Sequence, residues 1–317
     1  MRYFIHLFAM PLSKDILATV AYYDVFGFPL TAFEVWQHLL IMDSGTKPGA
    51  TSLRVILSAL EEEALSKKIS RANGFYMLKG REGLVASRLR KEKISSEKLK
   101  RVRKLVKFLG FIPFVRMIGV TGSLAMKQSE EGSDWDFFVI LKEGHIWTGR
   151  TLLTGFLHII RKRRHGAFSR DRACLNYYIT DARLEIFPQD FFAANEYRFI
   201  IPMLGSEAFR KFELKNRWIR DIHPNMRLSE LLPLWYVPDR RLFLAIRGLL
   251  EKIFDNKRLE SFLGRIQKKK IERNPKSLWE GAHISATDSA LIFLPRPRGP
   301  KHFERFMAVF GETRVKR

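Results

Sequence analysis

The stretch Val120 to Ile140, VTGSLAMKQSEEGSDWDFFVI, constrains this chain more than any other. It joins a Gly-Ser pair to an apolar run through Asp134 and Asp136. The apolar residues from Phe114 to Thr121 predict one buried strand, and Phe137 to Leu141 predict a second. Ten residues lie between Ser123 and Asp134, enough for a short helix and a loop. At a strand's period of two, Asp134 and Asp136 point to the same face. Neighbouring carboxylates repel unless a cation bridges them, and Mg²⁺ is a hard cation that also takes phosphate oxygens and water. Gly122 removes a side chain where a triphosphate must come close to the backbone. Ser123 supplies a hydroxyl, and its N–H at a helix start lies among donors that favour anions. The plainer alternative is a loop in which Ser133 and Asp134 cap a turn without catalysis.

This arrangement resembles the nucleotidyltransferase superfamily, which includes DNA polymerase beta, aminoglycoside nucleotidyltransferases and the minimal bacterial nucleotidyltransferases. Their pattern is an apolar strand, Gly-Ser or Gly-Gly, then Asp-x-Asp or Asp-x-Glu entering an apolar strand. Here it reads VTGSLAM, then SDWDFFVI. The implied fold would cover Pro113 to Phe187. The segment AYYDVFGFPLTAFEVWQHL is also similar to the winged-helix front end of a bacterial group of such proteins. The resemblance implies that Asp134 and Asp136 bind two Mg²⁺ ions and that Gly122 and Ser123 hold nucleotide phosphates. The donor would be an NTP, with ATP the first expectation. An acceptor hydroxyl would attack the α-phosphorus, and pyrophosphate would leave. The acceptor could be nucleic acid, protein or a small molecule.

Two further positions belong to this expectation. Lys127, a turn past Ser123, could reach phosphate or be an ordinary surface lysine. Active members usually carry a third carboxylate on a later strand. The apolar-acid-apolar pattern occurs at Leu184-Glu185-Ile186, which makes Glu185 the candidate. The competing strand CLNYYI carries neutral Asn176, while Asp181 and Asp190 read as turn residues. With Asn176 in the third position the site would lack a charge and a proton acceptor. The alternative function is then a nucleotide- or nucleic-acid-binding regulator with weak or lost turnover.

Upstream, the order is helix, helix, helix, hairpin. Ser13 to Phe26 reads as a helix with Ser13 as N-cap, and Thr31 with Glu34 forms a capping-box pattern. A third helix spans Thr51 to Ala64, after the Gly/Pro-bearing loop DSGTKPGA. Asn73-Gly74 then marks a tight hairpin. These elements predict a winged helix-turn-helix. Its third helix offers Arg54 but also Glu61, Glu62 and Glu63, which would repel a phosphate backbone. Docking or structural support is the competing role. Arg81 to Leu109 reads as basic helix, with Ser95 or Ser96 a candidate break.

The 56 Lys and Arg outnumber 33 Asp and Glu, giving a formal charge of +23. Such a surface favours nucleic acid, nucleotide phosphates or an anionic membrane surface. Lone Cys174 excludes an internal disulfide framework and fits a cytoplasmic location. His6 and Pro11 interrupt the N-terminal apolar run, against a signal peptide. No apolar run reaches the ~20 residues of a membrane span, so no stable insertion is expected. No histidine pair has zinc-ligand spacing.

The expected fold is α+β: a winged helix-turn-helix over residues 1–80, a basic helical connector over 81–112, and a nucleotidyltransferase-like mixed sheet over 113–205. A helical C-terminal region follows over 206–317. Arg183 to Phe187 and Ala173 to Thr180 are expected as strands, and Ala193 to Leu204 as one helix.

Overall fold

The computed structural model describes residues 3–42, 51–166, 168–226 and 234–315, so the expected loop at 43–50 lies outside the described residues. Helices and mixed sheet make the chain α+β.

Helix α1 (Tyr3–Asp24) starts well before Ser13, which therefore lies inside it and is not its cap. Strand β1 (Leu30–Thr31) leads into α2 (Ala32–Gln37). The capping box is present: Glu34 N donates to Thr31 Oγ1 at 3.2 Å, and Thr31 N donates to Glu34 Oε2 at 2.9 Å. Helix α3 (Leu53–Leu60) is capped by Ser52, and α4 (Glu63–Ser66) follows it. Strands β2 (Ile69–Ala72) and β3 (Phe75–Leu78) form the expected hairpin. Asn73 and Gly74 both take positive φ, 50° and 80°, as a two-residue turn matched to strand twist requires. The three strands pair antiparallel in the order β1-β3-β2.

Helix α5 (Leu84–Val106) runs unbroken through Ser95 and Ser96. Ser95 folds its hydroxyl back onto Lys91 O at 2.7 Å and accepts Ser129 N at 3.0 Å, so it ties two elements together where a break was expected. Arg88 joins α5 to the N-terminal unit through Glu34 at 2.8 Å and the face of Phe28.

The remaining elements are β4 (Val115–Val120), α6 (Gly122–Ala125), β5 (Trp135–Leu141), α7 (Ile146–Ile159), β6 (Ala173–Thr180), α8 (Phe191–Tyr197), β7 (Ile201–Leu204), α9 (Ser206–Lys215), α10 (Ile219–Ile222), α11 (Arg241–Phe254), α12 (Lys257–Glu272), β8 (His283–Ala286), β9 (Ala290–Leu294) and α13 (Gly299–Val315). Six strands form one sheet in the order β7-β4-β5-β6-β9-β8. Only β5 and β6 run parallel, joined by α7. Alternation splits β5 between two cores. Trp135, Phe137 and Val139 pack with residues of α5 and α7, whereas Phe138 and Ile140 pack with residues of α8 and α9. A third core holds the N-terminal unit together and includes Phe306 and Phe310 of α13.

Three expectations about elements are corrected. Arg183 to Phe187 is not a strand. Leu184 and Ile186 are buried, but their backbone groups are bonded by the Asn216 side chain, at 2.8 and 2.9 Å, instead of by a ladder. The helix expected over Ala193 to Leu204 ends at Tyr197, and the apolar residues after it form edge strand β7. An edge position accommodates Pro202, which has no N–H to donate. The C-terminal region is not purely helical: the β8–β9 hairpin completes the sheet by pairing β9 with β6, Tyr177 opposite Ile292. A boundary at 205/206 therefore cuts through one sheet. Among the described residues no helix is long and apolar enough to cross a membrane.

Candidate active site

Strand β4 ends at Val120, and Gly122 opens the four-residue α6 beside β5. Thr121 N donates to Asp136 O at 2.9 Å, which sets this turn against the start of β5. Gly122 has φ +62°, a conformation L side chains rarely adopt. A Cβ there would lie 2.7 Å from Asp136 Oδ2. Ser123 packs its hydroxyl 3.4 Å from that of Ser129.

Asp134 directly precedes β5 and Asp136 lies within it. Their carboxylate oxygens and the Cys174 sulfur fall within 4.8 Å of one another. Register explains the third member. Asp136 sits opposite Cys174, but Phe138 sits opposite Tyr177, so β6 carries one extra residue between these pairs. Such a bulge re-aims side chains. Asn176 is brought round to donate to Asp136 Oδ1 at 3.0 Å, and the Cys174 sulfur lies within 4.8 Å of the same carboxylate. Burial pushes that thiol up to about 12, with the two aspartates adding to the rise, so it stays protonated.

The face of β5 that carries Asp136 is covered by α8, and this brings Glu196 into the site. The Asp136 charge raises the pKa of the Glu196 carboxyl, and the nearby Gly122 N–H lowers it. Burial first, and then the neighbouring charge of Asp136, push Glu196 from 4.5 to about 7. Burial first, and then Asp134, push Asp136 from 3.8 to about 6. Two arginines offset these acids. Arg164 Nη1 donates to Asp134 Oδ2 at 2.6 Å and approaches Cys174 Sγ at 3.5 Å. Arg298, exposed in the loop before α13, acts on both Asp136 and Glu196 by its charge.

A buried lysine fixes the approach to Asp134. Lys98 of α5 donates to Glu131 O at 2.9 Å, Ser133 O at 2.8 Å and Asp171 Oδ1 at 3.0 Å. The 131–133 turn is thereby held from below, while Ser133 Oγ accepts Glu130 N at 3.1 Å.

Gly122, Ser123, Asp134 and Asp136 thus come together as the spacing implies. Glu185 does not join them. It is exposed on the coil after β6, where its neighbours Leu184 and Ile186 take the inward positions. Asp181 accepts Glu143 N and Asp190 caps α8, as turn residues do. Lys127, at φ +56°, is engaged by Glu92 at 3.0 Å, so α5 and not the carboxylate group holds its ammonium. Glu196, Arg298 and Lys98 sit in no local pattern that marks them, and Arg164 closes the run RKRR, which marks charge but no partner.

The residues fit a hard divalent cation. Asp134 and Asp136 supply carboxylate oxygens within 4.8 Å of each other, and the glycine leaves open the space a Cβ would fill. Cys174, held as a thiol, is not a ligand such a cation prefers. No protein-family model, curated protein or solved structure matches the chain.

Proposed function

We propose that the chain is a Mg²⁺-dependent nucleotidyltransferase with the superfamily's core arrangement, preceded by a winged helix-turn-helix built from α1 to β3. One observation carries the reading: a positive-φ glycine turn lies against the Asp134–Asp136 pair at the start of a buried strand. Asp134 and Asp136 would hold Mg²⁺, with phosphate oxygens and water completing its ligands. Mg²⁺ bound there, two ions in the resembled mechanism, offsets charge on the α-phosphate and the departing pyrophosphate.

The chain's own residues supply the rest. Gly122 lets a triphosphate approach the backbone, and Ser123 offers a hydroxyl beside it. Arg298 and Arg164 balance negative charge on either side of the carboxylates. The acceptor hydroxyl forms a bond to the α-phosphorus as the bond to the bridging oxygen breaks. Its proton passes to Glu196, whose carboxyl burial and the Asp136 charge push up to about 7. NTP is the donor, ATP first among them, and a nucleic acid or protein is the acceptor class favoured by the +23 charge.

The test is transfer of label from each α-labelled NTP with Mg²⁺ in a cell lysate. Asp134→Ala/Asp136→Ala should abolish transfer, and Glu196→Gln should lower it by ~10²–10⁴-fold. Equal labelling by the parent and the double aspartate variant would defeat the proposal. A second reading, a nucleotide-binding regulator with little turnover, is favoured by two observations. Asn176 stands on β6 beside Asp136, and Arg164 already pairs Asp134. Nucleotide binding without pyrophosphate release would select it.

A further inference from the structure

Helices α11 and α12 follow each other with only Asp255 and Asn256 between them. Each turns apolar residues outward. On α11, Leu242, Leu249 and Ile253 recur on one face at 67%, 61% and 63% exposure. On α12, Phe262 and Ile266 are half exposed at 52% and 50%, in the same outward stripe as Arg258, Arg265, Lys269 and Arg273. The inward stripe of α12 is the one with Leu263, Gly264 and Ile271, and Gly264 meets the Trp147 ring of α7. The outer apolar residues are therefore not needed to hold α12 in place. Leu278, in the turn after α12, is 80% exposed, and Trp279 beside it lies against Lys276 and Arg296.

The charges of this segment are sorted by side. From Arg241 to Arg273 there are ten Lys or Arg and four acids. Three of the acids bond to groups outside the segment. Glu251 takes Phe114 N at 2.9 Å and Arg116 at 2.7 Å, Asp255 meets His145 at 2.9 Å, and Glu260 takes Trp147 N at 2.9 Å and Thr148 N at 2.8 Å. What faces solvent is thus apolar and cationic together. An open depression continues from the end of α12, lined by Ile266, Lys269, Lys270, Arg273, Asn274 and Pro275.

We propose that the outer face of α12, with the turn that follows it and the exposed stripe of α11, docks on an anionic lipid surface. Long cationic side chains beside Phe, Ile, Leu and Trp suit the boundary between headgroups and acyl chains. The basic depression fits a lipid phosphate. A second copy of the chain would bring the same positive surface against it. A nucleic acid would satisfy the cations but leave Leu249, Ile253 and Ile266 without an apolar partner.

The test is sedimentation of the full chain with phosphatidylglycerol–phosphatidylcholine vesicles, with pure phosphatidylcholine vesicles, and with RNA as competitor. The parent should pellet with the anionic vesicles only. Arg265→Gln/Lys269→Gln should weaken partitioning about 25-fold, at roughly fivefold per cation. Phe262→Ser/Ile266→Ser keeps every charge and should also release the protein from vesicles while leaving RNA binding unchanged. Circular dichroism should show both variants folded, since the altered side chains are exposed. Absence of pelleting, equal pelleting with neutral vesicles, or pelleting that survives Phe262→Ser/Ile266→Ser would each overturn the proposal. The last of these would identify a polyanion surface instead. Concentration-dependent dimerisation abolished by Phe262→Ser/Ile266→Ser would overturn it in favour of self-association.

Discussion

Gly122 has the least freedom of any residue at the candidate site. Two independent constraints meet there: a left-handed backbone and a carboxylate oxygen where a Cβ would sit. Gly122→Ala should cost about 1–2 kcal/mol from the backbone alone. It should also displace Asp136 and weaken Mg-nucleotide binding, read by calorimetry beside a denaturant titration. Asp136 itself carries a cost of the opposite kind. Its folded-state pKa is raised from 3.8 to about 6, so the native state holds a proton over a range where the unfolded chain has lost it. That contribution to stability is present below the unfolded value and is lost as pH rises through about 6. Asp136→Asn removes the titration. The variant should be more stable than the parent by on the order of 1–3 kcal/mol at neutral and alkaline pH, and no more stable below the unfolded pKa. Mg²⁺ should raise the parent's midpoint at alkaline pH and leave the variant's nearly unmoved. A variant with the parent's pH profile would show that Asp136 is not the strained group.

At the scale of elements, the site is held by connections as much as by strands. Lys98 is 3% exposed and ties α5 to the turn before Asp134. Lys98→Met leaves Asp171 with Arg101 but frees two backbone carbonyls, and should cost about 2–4 kcal/mol. Hydrogen exchange should quicken first at residues 131–133. Gly205, between β7 and α9, has φ +80°, and a Cβ would fall 1.9 Å from Arg116 O. Gly205→Ala should therefore unfold the β4–β7 edge or lower the yield of folded protein, since backbone cannot move aside as a side chain can. These elements also show what a sequence reading can reach. Asp134, Asp136 and Gly122 were legible because chain and spacing put them together within fifteen residues. The capping box and the Asn73-Gly74 turn were legible for the same local reason. Glu196 was not, because α8 reaches Asp136 only after α7 and β6 have folded between them. Nor was β7, whose FIIPML continues the apolar spacing of the helix before it and yields to pairing with β4. The β8–β9 hairpin was hidden in a region dominated by helical patterns, and it is stabilised by a β6 partner more than a hundred residues away.

At the scale of the whole molecule, the N-terminal unit and the sheet meet around a partly buried cation, Arg198. Arg198, just past α8, bonds Gln37 O at 3.1 Å, His223 Nδ1 at 2.7 Å and His38 Nδ1. Tyr23 stacks on the other side of His38 at 5.2 Å. Both imidazoles must accept from the guanidinium, so both must be neutral. Burial first, and then the Arg198 charge, hold His38 and His223 well below the usual 6.5. The unfolded chain takes up those two protons as pH falls through 6.5, and the folded chain does not. The junction's contribution is thus complete above that pH and declines below it, with a limiting slope of about 2.7 kcal/mol per pH unit for two groups. Asp136 and Glu196 act in the opposite sense over part of the same range, because they bind protons more readily when folded. The comparison therefore belongs in an Asp136→Asn/Glu196→Gln background. There, stability should fall steeply below about pH 6, and adding His38→Gln/His223→Gln should flatten the fall even if it lowers stability near neutrality. Parallel profiles for the two proteins would show that some other group governs acid unfolding. If the junction governs it, exchange protection should be lost first around Gln37, His38 and Arg198, where one arginine holds the N-terminal unit to the sheet.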